Sequence, residues 1–221
     1  MLMARPVLIE PMQEDNVRLM ARAFSYVVKR DYGFAPNPFY GFLTLATCKP
    51  LIRKNAEIGD FIIGNSPSNL GSKLVYMAKV SEIITFDEYW SNPRFLCKKP
   101  IMNGSIKKLY GDNIYHHAED GTWMQENSHH SLKDGSINKE NLDRDTSHTD
   151  RVLIANDYFY FGKDMIEINE YADCLCNHIG QDKPSYERAL QLWEHLCSTY
   201  EMGLIALPRQ FKEFVRYDGH S

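Results

Sequence analysis

The sequence predicts an α+β fold: a mixed, curled β-sheet or small barrel with peripheral helices and a C-terminal helix. Three observations carry that prediction. Runs rich in Val, Ile, Tyr and Phe cluster in the first three quarters of the chain, with short helical segments between them. Their order is not a regular β-α-β alternation, which argues against a doubly wound parallel sheet. The best amphipathic helix, Ser185 to Met202, comes near the end, where Leu192, Leu196 and Tyr200 recur every four residues.

In order along the chain, Val17, Met20, Ala21, Phe24 and Val28 have helical spacing, and the reading is a leader running into a strand at 24–30. Gly33-Phe-Ala-Pro-Asn-Pro38 reads as an ordered turn. Pro50 suits a first helical position, so a short helix is expected over 51–56, ended by Gly59-Asp60. Phe61-Ile-Ile63 reads as a buried strand, Lys73 to Thr85 as the clearest strand, and Phe86 to Trp90 as a helical turn. Residues 91–150 are dominated by Gly, Asn, Asp, Ser and His and read as a long irregular stretch, a feature usually functional or mobile. Val152 to Ala155 and Tyr158 to Phe161 read as a strand pair or one bent strand. Ser185 is a suitable cap for the last helix and Gly203 its stop, with a polar tail beyond.

The composition, 43% apolar and 24% charged, is globular rather than disordered or fibrous. No apolar run reaches the ~20 residues of a membrane span, and the first ten residues do not form a secretory signal. Five cysteines without paired metal-ligand spacing fit a reducing cytoplasm. The net charge of -4 argues against clamping a long duplex through many phosphates. The distribution is uneven: residues 49–108 carry +5 and residues 109–150 carry -6.

The usual signatures of nucleotide hydrolases, dinucleotide enzymes, serine hydrolases and zinc deaminases do not occur, no specific metal signature is present, no metal-ligating residue is nominated, and the sequence leaves any cofactor open. Five of eight histidines fall between His116 and His148 among many aspartates, a pattern suited to proton exchange or to local backbone hydrogen bonds. Lys49 and Arg53 flank a helix start and are candidates to hold a phosphate. Cys48 is expected to be a small buried residue, a nucleophile only if a neighbour lowers its pKa. Tyr158 and Tyr160 share one strand face and Phe159 and Phe161 the other. The Phe pair is the expected core face; the Tyr pair, with Trp123, offers stacking surfaces.

The order strand, short helix, Gly-Asp, strand, long strand resembles small barrels of the PUA type (ASCH, EVE and YTH domains), which implies binding of RNA or modified bases. A longer set of blocks resembles the second nucleotide modification associated domain family of bacteria and phages. They are Ser25-Tyr-Val-Val28, Asp31-x-Gly-Phe-Ala-Pro-Asn-Pro-Phe39, Thr44-Leu-Ala-Thr-Cys-Lys-Pro-Leu-Ile-Arg53, Gly59-Asp60, Phe86-Asp-Glu-Tyr-Trp90, Lys99-Pro100, Gly111-Asp-Asn-Ile-Tyr-His116, Ser128-His-His-Ser131, Asn138, Asn141, Asp145-Thr146 and Tyr160-Phe-Gly162. On this basis residues 1–23 form a leader, 24–168 the domain, and 169–221 a C-terminal helical extension. The resemblance implies a part in nucleotide or DNA-base modification without specifying a reaction.

Three readings follow. In an enzyme acting on a nucleotide or base, Lys49, Arg53, Asn113, Ser128, Tyr158 and Tyr160 bind ligand. Asp112, His116 and His130 exchange protons, and Asp145 orients a histidine. In a non-catalytic reader of modified bases, Tyr158, Tyr160 or Trp123 stacks and Asn113 bonds the base edge. The third reading is an interaction protein of a phage or defence system. The partner is a nucleotide or nucleic-acid base in the first two, and no membrane is involved in any of them.

Overall fold

The computed structural model describes residues 21–217. The helical spacing expected around Val17 and Met20, and the leader as a whole up to residue 20, lie outside the described residues. No helix among the described residues is long and apolar enough to cross a membrane.

Among the described residues, ten strands form three open sheets. The largest has the order β1 (Ala23–Val27), β3 (Phe61–Asn65), β4 (Leu74–Lys79), β9 (Asp157–Tyr160) and β10 (Gly203–Leu204). Its two outer pairs are parallel and its inner pairs antiparallel. A second sheet orders β2 (Leu43–Leu45), β8 (Val152–Ala155) and β5 (Glu82–Ile84), all antiparallel. The third pairs β6 (Tyr115–His117) with β7 (Trp123–Gln125). The fold is therefore mixed α+β with curled sheets, and no barrel closes among the described residues.

The curl has an identifiable cause. Lys73 to Thr85 is not one strand but two, because the chain leaves the large sheet at Val80, whose N–H bonds the Asp60 carbonyl (2.9 Å). It joins the second sheet at Ser81, which bonds the Ile154 carbonyl (2.8 Å). Residues 152–161 do the same in reverse: β8 and β9 belong to different sheets and do not pair with each other. The two ribbons cross side by side, Lys79 opposite Asp157 and Glu82 opposite Ile154.

Strand alternation sorts the core. One face of the large sheet presents Phe24, Tyr26, Tyr76, Tyr158 and Tyr160 to Leu43, Leu45, Leu153 and Ala155 of the second sheet. The other presents Phe61, Met77, Phe159 and Phe161 to Ala189, Leu192, Trp193 and Leu196 of α5 (Tyr186–Thr199). Both faces are thus core, and the expectation that only the Phe pair of 158–161 would be buried is corrected. Gly64 makes the first layer possible, since a Cβ there would lie 2.1 Å from the Tyr76 ring.

The expected short helix is α1 (Pro50–Asn55), and the helical turn after β5 is α2 (Phe86–Ser91), closed by a capping box between Thr85 and Glu88. Residues 91–150 are more ordered than their composition suggests, containing α3 (Ile106–Leu109), the β6–β7 hairpin and α4 (Lys139–Thr146). Ser185 caps α5 through the Arg188 N–H (3.3 Å). Gly203, at φ 118°, opens β10 rather than ending the helix. Nor is the last stretch a solvated tail: Phe211 and Phe214 pack against a third core around Tyr110, Tyr115 and Ile154.

Candidate active site

Three segments distant in sequence converge under one cavity. The first is the turn entering α1. Cys48 and Lys49 both lie in the left-handed region, at φ 56° and 43°, where residues other than glycine are uncommon and strained. The surroundings hold them there: the Cys48 N–H donates to Asp145 Oδ1 (2.9 Å), and Arg53 Nε donates to the Cys48 carbonyl (2.9 Å). The second is the turn 128–131. Ser128 Oγ accepts from the His130 N–H (3.3 Å), and Gln125 and Asn141 donate to the His130 carbonyl at 3.2 and 2.9 Å. The third is α4, capped by Asn138 and burying Asp145 on its inner face.

The result is a Cys–His–Asp line. Cys48 Sγ lies 3.8 Å from His130 Nε2, and His130 Nδ1 lies 3.0 Å from Asp145 Oδ2. Asp145 also accepts from the Tyr115 hydroxyl (2.9 Å) and from Arg144 Nε (3.0 Å). The carboxylate fixes the imidazole's orientation and favours its charged form, the role of the third group wherever a nucleophile is paired with a histidine.

The electrostatics act together. Burial and Asp145 push the Cys48 thiol up, but His130 and Arg144 together outweigh them and the net shift is downward. Burial pulls His130 down, and Cys48 and Asp145 together bring it above the usual histidine value. Burial opposes ionisation of Asp145, yet His130 and Arg144 hold its carboxyl well below the usual carboxylate range. Both shifts run toward a thiolate–imidazolium pair, braced by a carboxylate.

This pair opens into a cavity of about 450 Å³, within the range of small-molecule sites. Cys48 is half-buried and lines it. Lys29, Arg30, Lys49 and Arg144 also line it, and no carboxylate does among the described residues. Aromatic walls come from Tyr26, Tyr32, Phe34 and Tyr217. Arg30 lies 4.7 Å and Arg144 5.3 Å from the Tyr217 ring, and Lys49 4.3 Å from Tyr26.

His129 anchors one wall. Its Nδ1 donates to the Val215 carbonyl, its carbonyl accepts from the Tyr217 N–H (2.7 Å), and Tyr32, Phe34 and Tyr110 surround its ring. Burial, reinforced by His130, Arg30 and Arg144, pulls it down to about 3. Unfolded chains take up a proton at this histidine below the ordinary histidine value of 6.5, whereas the folded protein does not until near 3. Folding stability therefore falls as the pH drops through that window, by up to about 1.4 kcal/mol per pH unit. Urea midpoints across this range are expected to show the slope, and His129→Gln to flatten it.

The structure separates the residues nominated by sequence. His130, Cys48 and Lys49 line the cavity, and Asp145 supports His130 from behind it. Ser128 positions His130 instead of facing a ligand. Arg53 touches the site from beneath: fully buried, it donates to the carbonyls of Cys48, Arg151 and Asp145 and does not line the cavity. Asp112 is buried elsewhere, accepting from Thr44 and Tyr89 at 2.7 and 2.9 Å. Asn113 donates to the Tyr89 carbonyl (2.7 Å). His116 stacks on Trp90 (4.1 Å) and pairs with Glu126 (3.0 Å). Tyr158 donates to the Pro38 carbonyl (2.8 Å) and Tyr160 to Asp31. None of these five lines the cavity. Sequence reasoning missed Lys29, Arg30, Arg144 and Tyr217. Tyr217 lay in a stretch read as a tail, and only its alternation with Phe211 and Phe214 among charged residues hinted at a packed segment.

No curated protein and no solved structure is measurably similar to the chain. One family profile, nucleotide modification associated domain 2, matches residues 20–214. With nearly all of the described fold inside that match, the chain belongs to the nucleotide modification associated domain 2 family.

Proposed function

We propose that the protein is an enzyme that modifies a nucleotide or nucleic-acid base through a cysteine nucleophile, Cys48. One observation carries the reading: the Cys48–His130–Asp145 line opens into a cavity with four cationic side chains and, among the described residues, no carboxylate lining it. A cavity wall rich in cations favours a phosphate-bearing ligand. Lys49, Arg30 and Arg144 hold the phosphate, and Tyr217 and Phe34 flank the base. The thiolate adds to an electrophilic carbon of a double bond in the bound base; the C–S bond forms as the π bond opens, its electron pair moves to the neighbouring atom, and the imidazolium delivers its Nε2 proton there. Asp145 keeps Nδ1 protonated throughout.

The test is a panel of free nucleotides, single-stranded oligonucleotides and base-modified oligonucleotides, read by melting temperature and intact mass. A ligand bound to the folded state alone raises stability by RT ln(1 + [L]/Kd), about 2.7 kcal/mol at a hundredfold excess over Kd. Melting shifts with phosphate-bearing ligands, and a mass adduct absent from Cys48→Ala, are expected. A shift confined to base-modified oligonucleotides with no adduct or turnover would make the protein a reader instead. No shift with any ligand would leave the interaction-protein reading.

A further inference from the structure

At the edge of the same cavity a second cluster of reactive groups takes no part in the thiol chemistry. Cys176 Sγ lies 3.9 Å from His178 Nδ1, which lies 3.6 Å from Asp182 Oδ2. All three donor atoms fall within 4.8 Å of one another. Zinc takes thiolate at about 2.3 Å and nitrogen or oxygen at about 2.0–2.2 Å in a tetrahedron, so its ligand atoms sit about 3.4–3.6 Å apart. The two spacings from His178 exceed that by a few tenths of an ångström at most, and the Cys176–Asp182 spacing is within 4.8 Å; side-chain rotation of the half-exposed His178 and Asp182 closes the difference.

The backbone around the cluster is fixed more firmly than an irregular loop requires. Asn65, at the end of β3, spends its buried side chain on Cys176, accepting from its N–H (3.0 Å) and donating to its carbonyl (2.9 Å). Asp182 is fixed in the same way by Ser25 of β1, through N–H to carbonyl bonds in both directions at 2.9 and 2.8 Å. Two of the three donors are therefore pinned to neighbouring strands of the large sheet, with His178 on the chain between them. Cys176 is buried, and it and His178 both line the cavity. Lys49 is within electrostatic reach of both Cys176 and Cys48.

We propose that Cys176, His178 and Asp182 form a zinc site at the edge of the cavity, with Cys176 and His178 on its wall and Asp182 behind them. One soft sulfur, one imidazole and one carboxylate are a donor set that suits zinc and not magnesium or calcium, which take oxygen. Three protein ligands leave the fourth position for water or a ligand oxygen. The spacing C-x-H-x3-D matches no common zinc signature, so it escapes a motif search; only the strand clamps bring Asp182 back to the other two. Binding replaces the Cys176 thiol proton, now directed at the His178 carbonyl (3.4 Å), and releases it to solvent.

The site stands apart from Cys48, and its test separates the two. Metal-free full-length protein is titrated with zinc alone against a chromophoric chelator. One zinc per chain is expected in the wild type and in Cys48→Ser. Affinity is expected to fall by at least about 100-fold in Cys176→Ser and to drop clearly in His178→Gln and Asp182→Asn, since even groups outside the ligand shell matter 10–100-fold. The last two changes are at half-exposed positions, so a loss there is not a folding failure. Cobalt in place of zinc is expected to give a thiolate charge-transfer band that Cys176→Ser abolishes. No stoichiometric zinc in the wild type, zinc unaffected by all three changes, or zinc lost in Cys48→Ser and kept in Cys176→Ser would each overturn the assignment.

Discussion

Replacing Arg53 by Ala is expected to lower folding stability by about 3–5 kcal/mol, the cost of breaking a fully buried charged network by removing one partner. The guanidinium donates to three carbonyls from three segments: Cys48 before α1, Asp145 in α4 and Arg151 before β8. It also lies 5.4 Å from the Phe86 ring. Truncation strands three carbonyl oxygens in a dry interior, and a bare carbonyl there costs about 1–3 kcal/mol. Arg53→Lys is expected to recover only part of the loss, because an ammonium cannot reproduce the planar fork. Urea midpoints at constant m-value measure this. A loss under about 1 kcal/mol would show that the three segments hold together without the guanidinium.

Cys48 is expected to be the thiol that iodoacetamide labels fastest at pH 7, because its pKa lies below the ordinary thiol value and the thiolate is the reactive form. The sign is fixed by the pair. Protonated His130 stabilises the thiolate, so the rate-against-pH curve shifts to acid relative to a free thiol. His130→Ala removes the imidazolium and moves the curve back toward alkaline pH, leaving Cys48 slow at neutrality. Asp145→Asn gives a smaller shift, since it weakens the imidazolium without deleting it. On an identified substrate, His130→Ala is expected to cost about 10²–10⁴-fold in turnover. Uniform labelling of all cysteines at pH 7, or labelling of Cys48 unmoved by His130→Ala, would remove the nucleophile assignment.

Much of the fold is legible in the sequence, and the errors share a cause. Period-two alternation at 158–161 correctly puts the Tyr and Phe pairs on opposite faces. It cannot show that a second sheet covers the Tyr face. The composition of 73–85 is continuous strand, whereas the break at Val80-Ser81 is imposed by carbonyls of Asp60 and Ile154, which no local pattern reveals. The histidine region illustrates the same limit. His116, His117, His129 and His130 are equivalent as letters. Only tertiary contacts give His116 a stacking partner, His129 a neutral anchoring role and His130 a thiol on one side and a carboxylate on the other. Cys48 reads as a small core residue because free cysteines usually are. What changes its character is a charge 82 positions away in sequence.

Residues near 30, 129 and 217 meet at the cavity, so its walls are closed by contacts between parts of the chain that are synthesised far apart in time. During translation the sheets have all but their last short strand by residue 160, but the pocket lacks Tyr217 until the final stretch has emerged and docked on His129. Domains can fold while the ribosome is still adding residues. A nascent chain of this protein will thus hold a packed scaffold before it holds a finished binding site.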